Sequence, residues 1–217
     1  MVFASPIFLY LFLPVVLAGY ALLSRIGRLA SNLWLLLASV FFYLWGEGQY
    51  TVVMLSSMLG NYALGLLVDR ARRRGSGQRL TLGVAIALNL ALLLYFKYWN
   101  FVVANLNEVI VAAGGAPLDN APIHLPIGIS FFTFHALTYV VDVWRGEAPV
   151  QKNPVQLTLY LSLFPQLVAG PIVRYGDVAR QLSDRRVTLD DFEYGCVRFA
   201  AGLAKKVLIA NAVADYA

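Results

Sequence analysis

Long apolar runs separated by short polar connections make up almost the whole chain. The apolar runs cover residues 6–23, 32–45, 51–68, 80–98, 127–143, 155–173 and 197–213. A helix needs about 20 mostly apolar residues to cross a bilayer, and most of these runs approach that length. The pattern predicts an all-α polytopic membrane protein, in which residues 1–217 form a single domain, a bundle of transmembrane helices.

Composition supports a membrane environment and excludes an ordinary soluble domain. Hydrophobic residues make up 59% of the chain and charged residues 13%, whereas soluble domains are about half apolar and a quarter charged. The run 32–45 is shorter than the others, because its helix would be roughly 21 Å long against a hydrocarbon core of about 30 Å. We therefore expect local thinning of the bilayer beside this run.

Loop charge predicts the orientation of the helices. The net charge is +5, and the basic residues cluster in short loops: Arg25 and Arg28 follow the first run, and five arginines lie within residues 70–79. Cytoplasmic loops are enriched in Lys and Arg, so these loops should be cytoplasmic and the N-terminus should lie outside. This distribution indicates orientation and contact with membrane lipids, and not a nucleic-acid surface.

The run 155–173 conflicts with this orientation if it crosses the membrane, because the arginines of residues 174–186 would then lie outside. A re-entrant segment at 155–173, which enters and leaves on the cytoplasmic side, removes the conflict. The alternative is an ordinary proline-kinked span. Proline and glycine leave backbone groups without helical partners, which is tolerated at membrane depth only inside protein or beside a water-filled cavity. The residues that break the run are Pro165, Gln166, Gly170 and Pro171.

Polar residues at membrane depth are the candidates for chemistry. Gly128, His135 and Asp142 are spaced by seven residues, so they share one helical stripe that should face away from lipid. We interpret His135 as a hydrogen-bonding residue between helices and as a weaker catalytic candidate. Asn61 and Asn89 receive the same structural interpretation, and His124 is interpreted as an interfacial polar residue.

Basic residues after the broken run are candidates for contact with an anionic donor. Arg198 and Lys205 share one helical face, and they can either reach lipid phosphates or meet a donor at a cytoplasmic mouth. The predicted donor channel comprises Pro165, Gln166, Gly170, Pro171, Arg174, Lys205 and Lys206. The single cysteine, Cys196, excludes an intramolecular disulfide and a multi-cysteine metal site within this chain. We predict no metal site, and the common soluble-enzyme motifs are absent from the sequence.

Several segments in the same order resemble a known family. "LPIGISFFTFHALTYVVDVWRG", "YLSLFPQLVAGPIVRY" and "RFAAGLAKKVLIAN" are similar to the N-terminal part of bacterial membrane-bound O-acyltransferases, in the alginate O-acetyltransferase branch. The resemblance implies an inner-membrane enzyme with a periplasmic N-terminus. It also implies transfer of an acetyl group from a cytoplasmic donor, acetyl-CoA, toward an extracytoplasmic polysaccharide such as alginate. A periplasmic acetyltransferase would be the partner, and no cofactor would be bound.

The resemblance also limits what this segment should do alone. The histidine regarded as catalytic in the family belongs to a Trp-Arg-x-Trp-His stretch of the later half, and this chain has no such stretch. We therefore expect no catalytic residue of that kind here and no activity of the isolated segment. Two alternatives remain open: transfer of D-alanine to teichoic acids, and a non-enzymatic channel or transporter component.

Overall fold

The computed structural model describes residues 3–167 and 170–214, and this part of the chain is helical with no strand. A π-helical turn, Phe8–Phe12, leads into the first helix. The helices are α1 (Leu13–Ser24), α2 (Arg28–Glu47), α3 (Thr51–Arg74), α4 (Gln78–Ala112), α5 (Ile129–Arg145), α6 (Pro154–Ser162), α7 (Phe164–Leu167), α8 (Tyr175–Ser183), α9 (Leu189–Ala204) and α10 (Asn211–Ala214). The predicted all-α class is confirmed, since 79% of the structure is helical.

The helices α2, α3 and α4 carry the membrane character. The stretches Arg28–Arg74 and Gln78–Ala112 are long and apolar enough to cross a membrane. Helix α2 contains 20 residues, which corresponds to about 30 Å. The helix is longer than the apolar run 32–45 because it includes polar first and last turns, with Arg28 and Glu47 at its ends. The apolar length is unchanged, so the expected thinning beside this run stays a prediction.

Helix α4 is much longer than the apolar run 80–98 that predicted it. It contains 35 residues, or about 52 Å, and its C-terminal part continues beyond Tyr98. The connection that follows runs back along this C-terminal part. The side chain of Asn100 bonds both backbone groups of Ile123, at 2.7 and 2.8 Å, and that of Asn107 bonds both backbone groups of Leu118, at 3.2 and 2.8 Å.

Helix α5 lies at the centre of the main core. One side of it packs against α3 and α4, and another side packs against α6 and α8. Helix α3 approaches closely at Gly65, where an added Cβ would lie 2.5 Å from the ring of Tyr139. The buried α5 residues in this core are Ile129, Phe132, Ala136, Tyr139, Val140 and Val143.

A buried pair of asparagines joins α3 to α4. The amide nitrogen of Asn61 donates to the side-chain oxygen of Asn89 at 3.0 Å, and Asn89 donates in return at 2.7 Å. Each amide also donates to a backbone carbonyl of its own helix, four residues earlier. The predicted role of Asn61 and Asn89 as interhelical hydrogen-bonding residues is confirmed.

A second, aromatic cluster holds α1 against α2 and α7. Its buried members are Phe8, Phe12, Val16, Ala38, Phe42 and Phe164. Phe164 begins α7, so this cluster fixes the part of the chain that follows the predicted break.

The last long helix begins earlier than the apolar run 197–213. Helix α9 starts at Leu189, after a capping box in which Thr188 and Asp191 bond each other's backbone N–H at 2.9 and 3.1 Å. None of its residues is buried. A π-helical stretch, Lys205–Ala210, continues it into α10. The prediction missed the first turns because Asp190, Asp191 and Glu193 interrupt the hydropathy without interrupting the helix.

Candidate functional site

The run 155–173 is not a single helix. Helix α6 ends at Ser162, Leu163 is non-helical, and the four-residue α7 follows. The backbone at 171–174 is non-helical and leads into α8. Residues 168 and 169 lie outside the described part, so the tip of the predicted re-entrant segment is not seen. We call residues 154–174 the broken segment.

The two ends of the broken segment meet beside the C-terminal half of α5. The backbone N–H of Gln151 donates to the Tyr139 hydroxyl at 3.2 Å, and the Gln151 side chain donates to the Tyr175 hydroxyl at 3.3 Å. The rings of Tyr139 and Tyr175 lie 4.9 Å apart, edge to face. Burial raises the pKa of the Tyr175 phenol, which keeps it neutral in this contact.

The middle of the broken segment reaches the opposite end of α5. Gly128 immediately precedes α5 and has a φ of +76°. A Cβ added there would lie 2.8 Å from the carbonyl oxygen of Leu167. Gly128 and Tyr139 are separated by about 16 Å along the helix axis. The chain therefore runs along α5 toward Gly128 and returns to Tyr139.

His135 and Tyr160 hold the returning chain. The side chain of His135 is fully buried, and its Nε2 accepts a hydrogen bond from the backbone N–H of Val173 at 3.3 Å. An accepting Nε2 places the proton of a neutral imidazole on Nδ1. The Tyr160 hydroxyl donates to the carbonyl oxygen of Val173 at 2.7 Å. Both polar groups of Val173 are thus bonded by side chains.

Other side chains replace helical bonds near the break. The hydroxyl of Ser39 on α2 accepts from the backbone N–H of Phe164 at 3.3 Å, and the Gln166 amide donates to the carbonyl of Tyr160. The N–H of Gly170 donates to the Gln166 carbonyl at 3.2 Å. A Cβ at Gly170 would lie 2.5 Å from the Cα of Gln166, so this turn requires glycine.

Some buried polar atoms around the broken segment have no partner among the described residues. They are Nδ1 of His135, Oγ of Ser162 and Oγ1 of Thr133. Buried polar atoms usually bond protein or ordered water, so unpaired ones indicate places where water or a polar ligand can bind. His135 and Asp142 are both buried, as the predicted stripe requires.

The arginine-containing connections share one end of the bundle, which we call the arginine end. Arg28 donates to the carbonyl of Ser183 at 2.9 Å and pairs with Asp184 at 2.7 Å. Arg72, at the end of α3, donates to the carbonyl of Val143 at 3.1 Å. The connections that follow α1, α3, α5 and α8 therefore lie together.

The opposite end holds a hydrogen-bonded contact between a histidine and a glutamate that hydropathy did not reveal. Nε2 of His124 lies 3.0 Å from a carboxylate oxygen of Glu47, whose side chain is only 3% exposed. The ring of His124 packs against the ring of Tyr50 at a tilt of 37°, with centroids 4.7 Å apart. His124 thus has a specific partner, beyond its interpretation as an interfacial residue. Glu47 was the available signal, since it is the one charged residue between the second and third runs.

The residues predicted to form one donor channel are divided in the structure. Arg174 is exposed and precedes α8, close to the arginine end. Lys205 and Lys206 are also exposed but belong to the π-helical stretch, and Lys205 lies roughly 24 Å along the helix from Leu189. Lys206 lines a groove together with Pro165. Pro171 is exposed on the returning chain.

The chain is similar over its whole length to curated alginate O-acetylases. It is 42% identical over 219 residues to the probable alginate O-acetylase AlgI of Pseudomonas aeruginosa, covering all of this chain and 41% of that protein. It is 43% identical over 219 residues to the AlgI of Azotobacter vinelandii, covering 43% of that protein. This chain is homologous to part of AlgI. The resemblance to the alginate O-acetyltransferase branch is confirmed at the level of sequence.

A more distant relative acts on a different polymer according to its name. The peptidoglycan O-acetyltransferase of Helicobacter pylori is 30% identical over 246 residues, which cover all of this chain and 46% of that protein. The chain spans less than half the length of this protein and of the two AlgI proteins. No family model matches the chain. No solved structure matches it.

Proposed function

We propose that this chain is part of a membrane-bound O-acyltransferase that passes an acetyl group from a cytoplasmic donor toward an extracytoplasmic polysaccharide. The observation that carries this proposal is the similarity of the whole chain to alginate O-acetylases. By the same similarity, the acceptor is alginate or a related polymer. The donor is acetyl-CoA, and a periplasmic acetyltransferase is the partner that completes the transfer.

The arginine end supports an orientation in the bacterial inner membrane. Arg25, Arg28, the five arginines within residues 70–79, and Arg185 and Arg186 belong to the connections and helix ends there, and basic connections are normally cytoplasmic. The N-terminus and the His124–Glu47 pair then belong to the periplasmic side. The broken segment starts and finishes beside Tyr139, toward the arginine end, which supports a re-entrant path from the cytoplasm.

The broken segment would line one side of the path for acetyl transfer. Beside a re-entrant backbone with unpaired polar atoms, the donor can enter from one side of the membrane while the acceptor approaches from the other. In the transfer, the C–S bond of the acetyl thioester breaks and the donor leaves as its thiolate, while a C–O bond forms to the acceptor. The proton of the acceptor hydroxyl passes to a general base and from there to the departing thiolate. We assign that base to a part of the protein beyond this chain, because Nε2 of His135 is already bonded to Val173. His135 is a positioning residue.

Complementation tests the proposed function. The full-length protein is expressed in an alginate-producing bacterium whose own alginate O-acetylase gene has been deleted, and ester-linked acetate on purified alginate is measured. We expect restored acetylation. Expression of a stable, membrane-inserted protein without any acetylation of alginate or peptidoglycan contradicts the proposal.

Peptidoglycan is a second candidate acceptor, favoured by the Helicobacter pylori relative. The same strain reports on it, because acetyl esters can be released separately from purified alginate and from purified peptidoglycan. Acetate on peptidoglycan alone replaces the acceptor and leaves the transferase assignment intact.

Cysteine labelling tests the re-entrant path. In a Cys196→Ala background, Lys152→Cys and Asp177→Cys place exposed thiols on the two sides of the broken segment, and Asp119→Cys places one on the opposite end. An impermeant thiol reagent added to intact cells should label only Asp119→Cys, and all three variants should react after lysis. Labelling of Asp177→Cys in intact cells identifies a proline-kinked span instead.

Donor kinetics test the cytoplasmic mouth. Because Arg174 lies toward the arginine end and Lys205 lies farther along α9, Arg174→Ala should raise the KM for acetyl-CoA more than Lys205→Ala does. The attraction is electrostatic, so the difference should shrink as salt rises. An unchanged KM in both variants would leave the donor entrance elsewhere.

A further inference from the structure

Helix α9 stands away from the bundle and leaves a groove between itself and α1. The groove encloses about 730 Å³, which is within the usual range of ligand cavities. Its walls are formed by apolar side chains of α1, α7 and α9, among them Leu13, Leu17, Phe164, Phe199 and Leu203. We call it the α1–α9 groove.

The charge of the groove is exclusively positive among the described residues that line it. Arg185 and Lys206 contribute cations, and no Asp or Glu belongs to the lining. This contrasts with nearby Arg28, whose charge is paired with Asp184 at 2.7 Å. A ligand that suits the groove must therefore combine apolar length with a negative charge.

Arg185 is held in place by neutral groups. Its Nε donates to the hydroxyl of Tyr20 at 2.8 Å, and its Nη2 donates to the side-chain oxygen of Asn32 at 3.1 Å. The guanidinium also lies 4.9 Å from the centre of the Tyr20 ring. These contacts fix the orientation of the guanidinium without neutralising it, so it is prepared to bind an anion.

We propose that the α1–α9 groove binds one anionic phospholipid, with its phosphate at Arg185 and an acyl chain along the apolar walls. Basic pockets between membrane helices recognise anionic headgroups in this way. Complementarity of charge favours this occupant over a zwitterionic lipid, and the apolar walls favour it over free phosphate. The inference is independent of the proposed acetyl transfer, since lipid retention can be measured without turnover.

Native mass spectrometry of the full-length protein tests the site. Dioleoylphosphatidylglycerol and dioleoylphosphatidylcholine are added separately to delipidated protein, and the bound fraction is followed against lipid concentration. We expect phosphatidylglycerol to bind about tenfold more tightly, because the choline cation of phosphatidylcholine cancels the net charge of that lipid and would lie beside two cations of the groove. Arg185→Ala should remove this preference, whereas Arg186→Ala, which alters a neighbouring exposed arginine outside the lining, should retain it.

A second pair of variants tests the apolar part of the groove. Gly202 lines the groove, and a Cβ added there meets no atom within 4 Å, so a larger side chain can begin there and Gly202→Phe should occupy part of the groove. It should weaken retention of both lipids. Gly195 on the same helix is equally open but outside the lining, so Gly195→Phe is the matched control and should bind as the wild type does.

Any of four results overturns the proposal. Equal affinity for the two lipids shows that the groove does not discriminate between lipids by the charge of the headgroup. An equal loss of preference in Arg185→Ala and Arg186→Ala shows diffuse attraction to the whole surface. Absence of lipid binding in the full-length protein, or unchanged binding in Gly202→Phe, shows that another part of the protein covers the groove. Thermal unfolding identifies a variant that fails to fold, and the Gly202→Phe and Gly195→Phe pair then decides.

Discussion

Helix α5 and the broken segment are neighbours of similar composition with opposite backbones. Both are apolar, both contribute to the main core, and they run beside each other for about 16 Å. Helix α5 is continuous over 17 residues, whereas the broken segment is divided between two short helices and a non-helical return. Apolar content therefore decides where a segment lies, and its prolines and glycines decide whether it stays helical.

Helix α5 stabilises the broken segment through hydrogen bonds. Because the backbone of α5 bonds itself, its side chains are free to bond the backbone of a neighbour. His135 accepts from Val173, and Tyr139 accepts from Gln151. The broken segment is thus tolerated because α5 supplies hydrogen-bond acceptors at two levels along its length.

The junction of the two regions at Gly128 should be the most sensitive position. Gly128→Ala places a Cβ at positive φ and near the Leu167 carbonyl, so we expect a loss of roughly 2 kcal/mol or more in the free energy of unfolding. The matched control is Gly83→Ala within α4, where a Cβ meets nothing within 4 Å and helix propensity should improve. If the two variants are equally stable when unfolded in detergent, the close approach of Gly128 to the broken segment does not contribute to stability.

Replacement of His135 tests the proposed support directly. His135→Leu should lower stability by about 0.6–1.7 kcal/mol, because the N–H of Val173 loses its acceptor. His135→Gln places an oxygen near the former position of Nε2, so it should recover part of the stability and most of the acetyl transfer. If His135→Gln folds normally and has no activity, His135 is a catalytic residue and our assignment is wrong.

The Tyr160 hydroxyl bonds the other side of the same peptide unit. Tyr160→Phe should lower stability by roughly 1 kcal/mol, while Tyr10→Phe, on a side chain that is 82% exposed, should change nothing. The stability losses of the His135 and Tyr160 variants should be non-additive, because both variants release the same non-helical segment around Val173. Additive losses in the double variant would show that the two bonds act independently.

Helix α9 lacks support of this kind and should show a local response to pH. Hydrogen bonds from the backbone and hydroxyl of Thr188 lower the pKa of Asp191. A lowered pKa stabilises the folded cap above the ordinary Asp value, near 3.9, and this contribution disappears as pH falls through the lower folded value. Amide protection in the first turn of α9 should therefore decline at low pH. Asp191→Asn should lose this pH dependence, whereas Asp190→Asn should keep it. If the pH dependence survives in Asp191→Asn, the Asp191 cap is not its cause.

Sequence patterns predicted the features that depend on burial. Spacing placed His135 and Asp142 on a buried stripe, and the interior amides Asn61 and Asn89 were expected to join helices. Proline and glycine located the interruption between residues 160 and 175. Each inference relies on the free-energy cost of an unsatisfied polar group at membrane depth. That cost can be inferred from the sequence of a single segment, without knowing which other segment it contacts.

Features that depend on contact between distant segments were missed. The partner of His124 is Glu47, and the support for Val173 comes from His135, 38 residues earlier. Hydropathy also underestimated α4 and α9, because it reports the surrounding solvent and not the continuity of the backbone. Asn100 and Asn107 lower the hydropathy of the C-terminal part of α4 while they bond the connection that runs beside it.

The reciprocal bonds between Asn61 and Asn89 also determine the relative height of two helices. Sliding α3 past α4 by one turn would break both interhelical bonds and leave two amide oxygens without donors in an apolar interior, so the pair fixes the register of the two helices. A bilayer of different thickness should then tilt α3 and α4 together, because the two helices cannot adjust their depths separately. The arginines at the end of α3 would move with them and stay at a constant height relative to the start of α4.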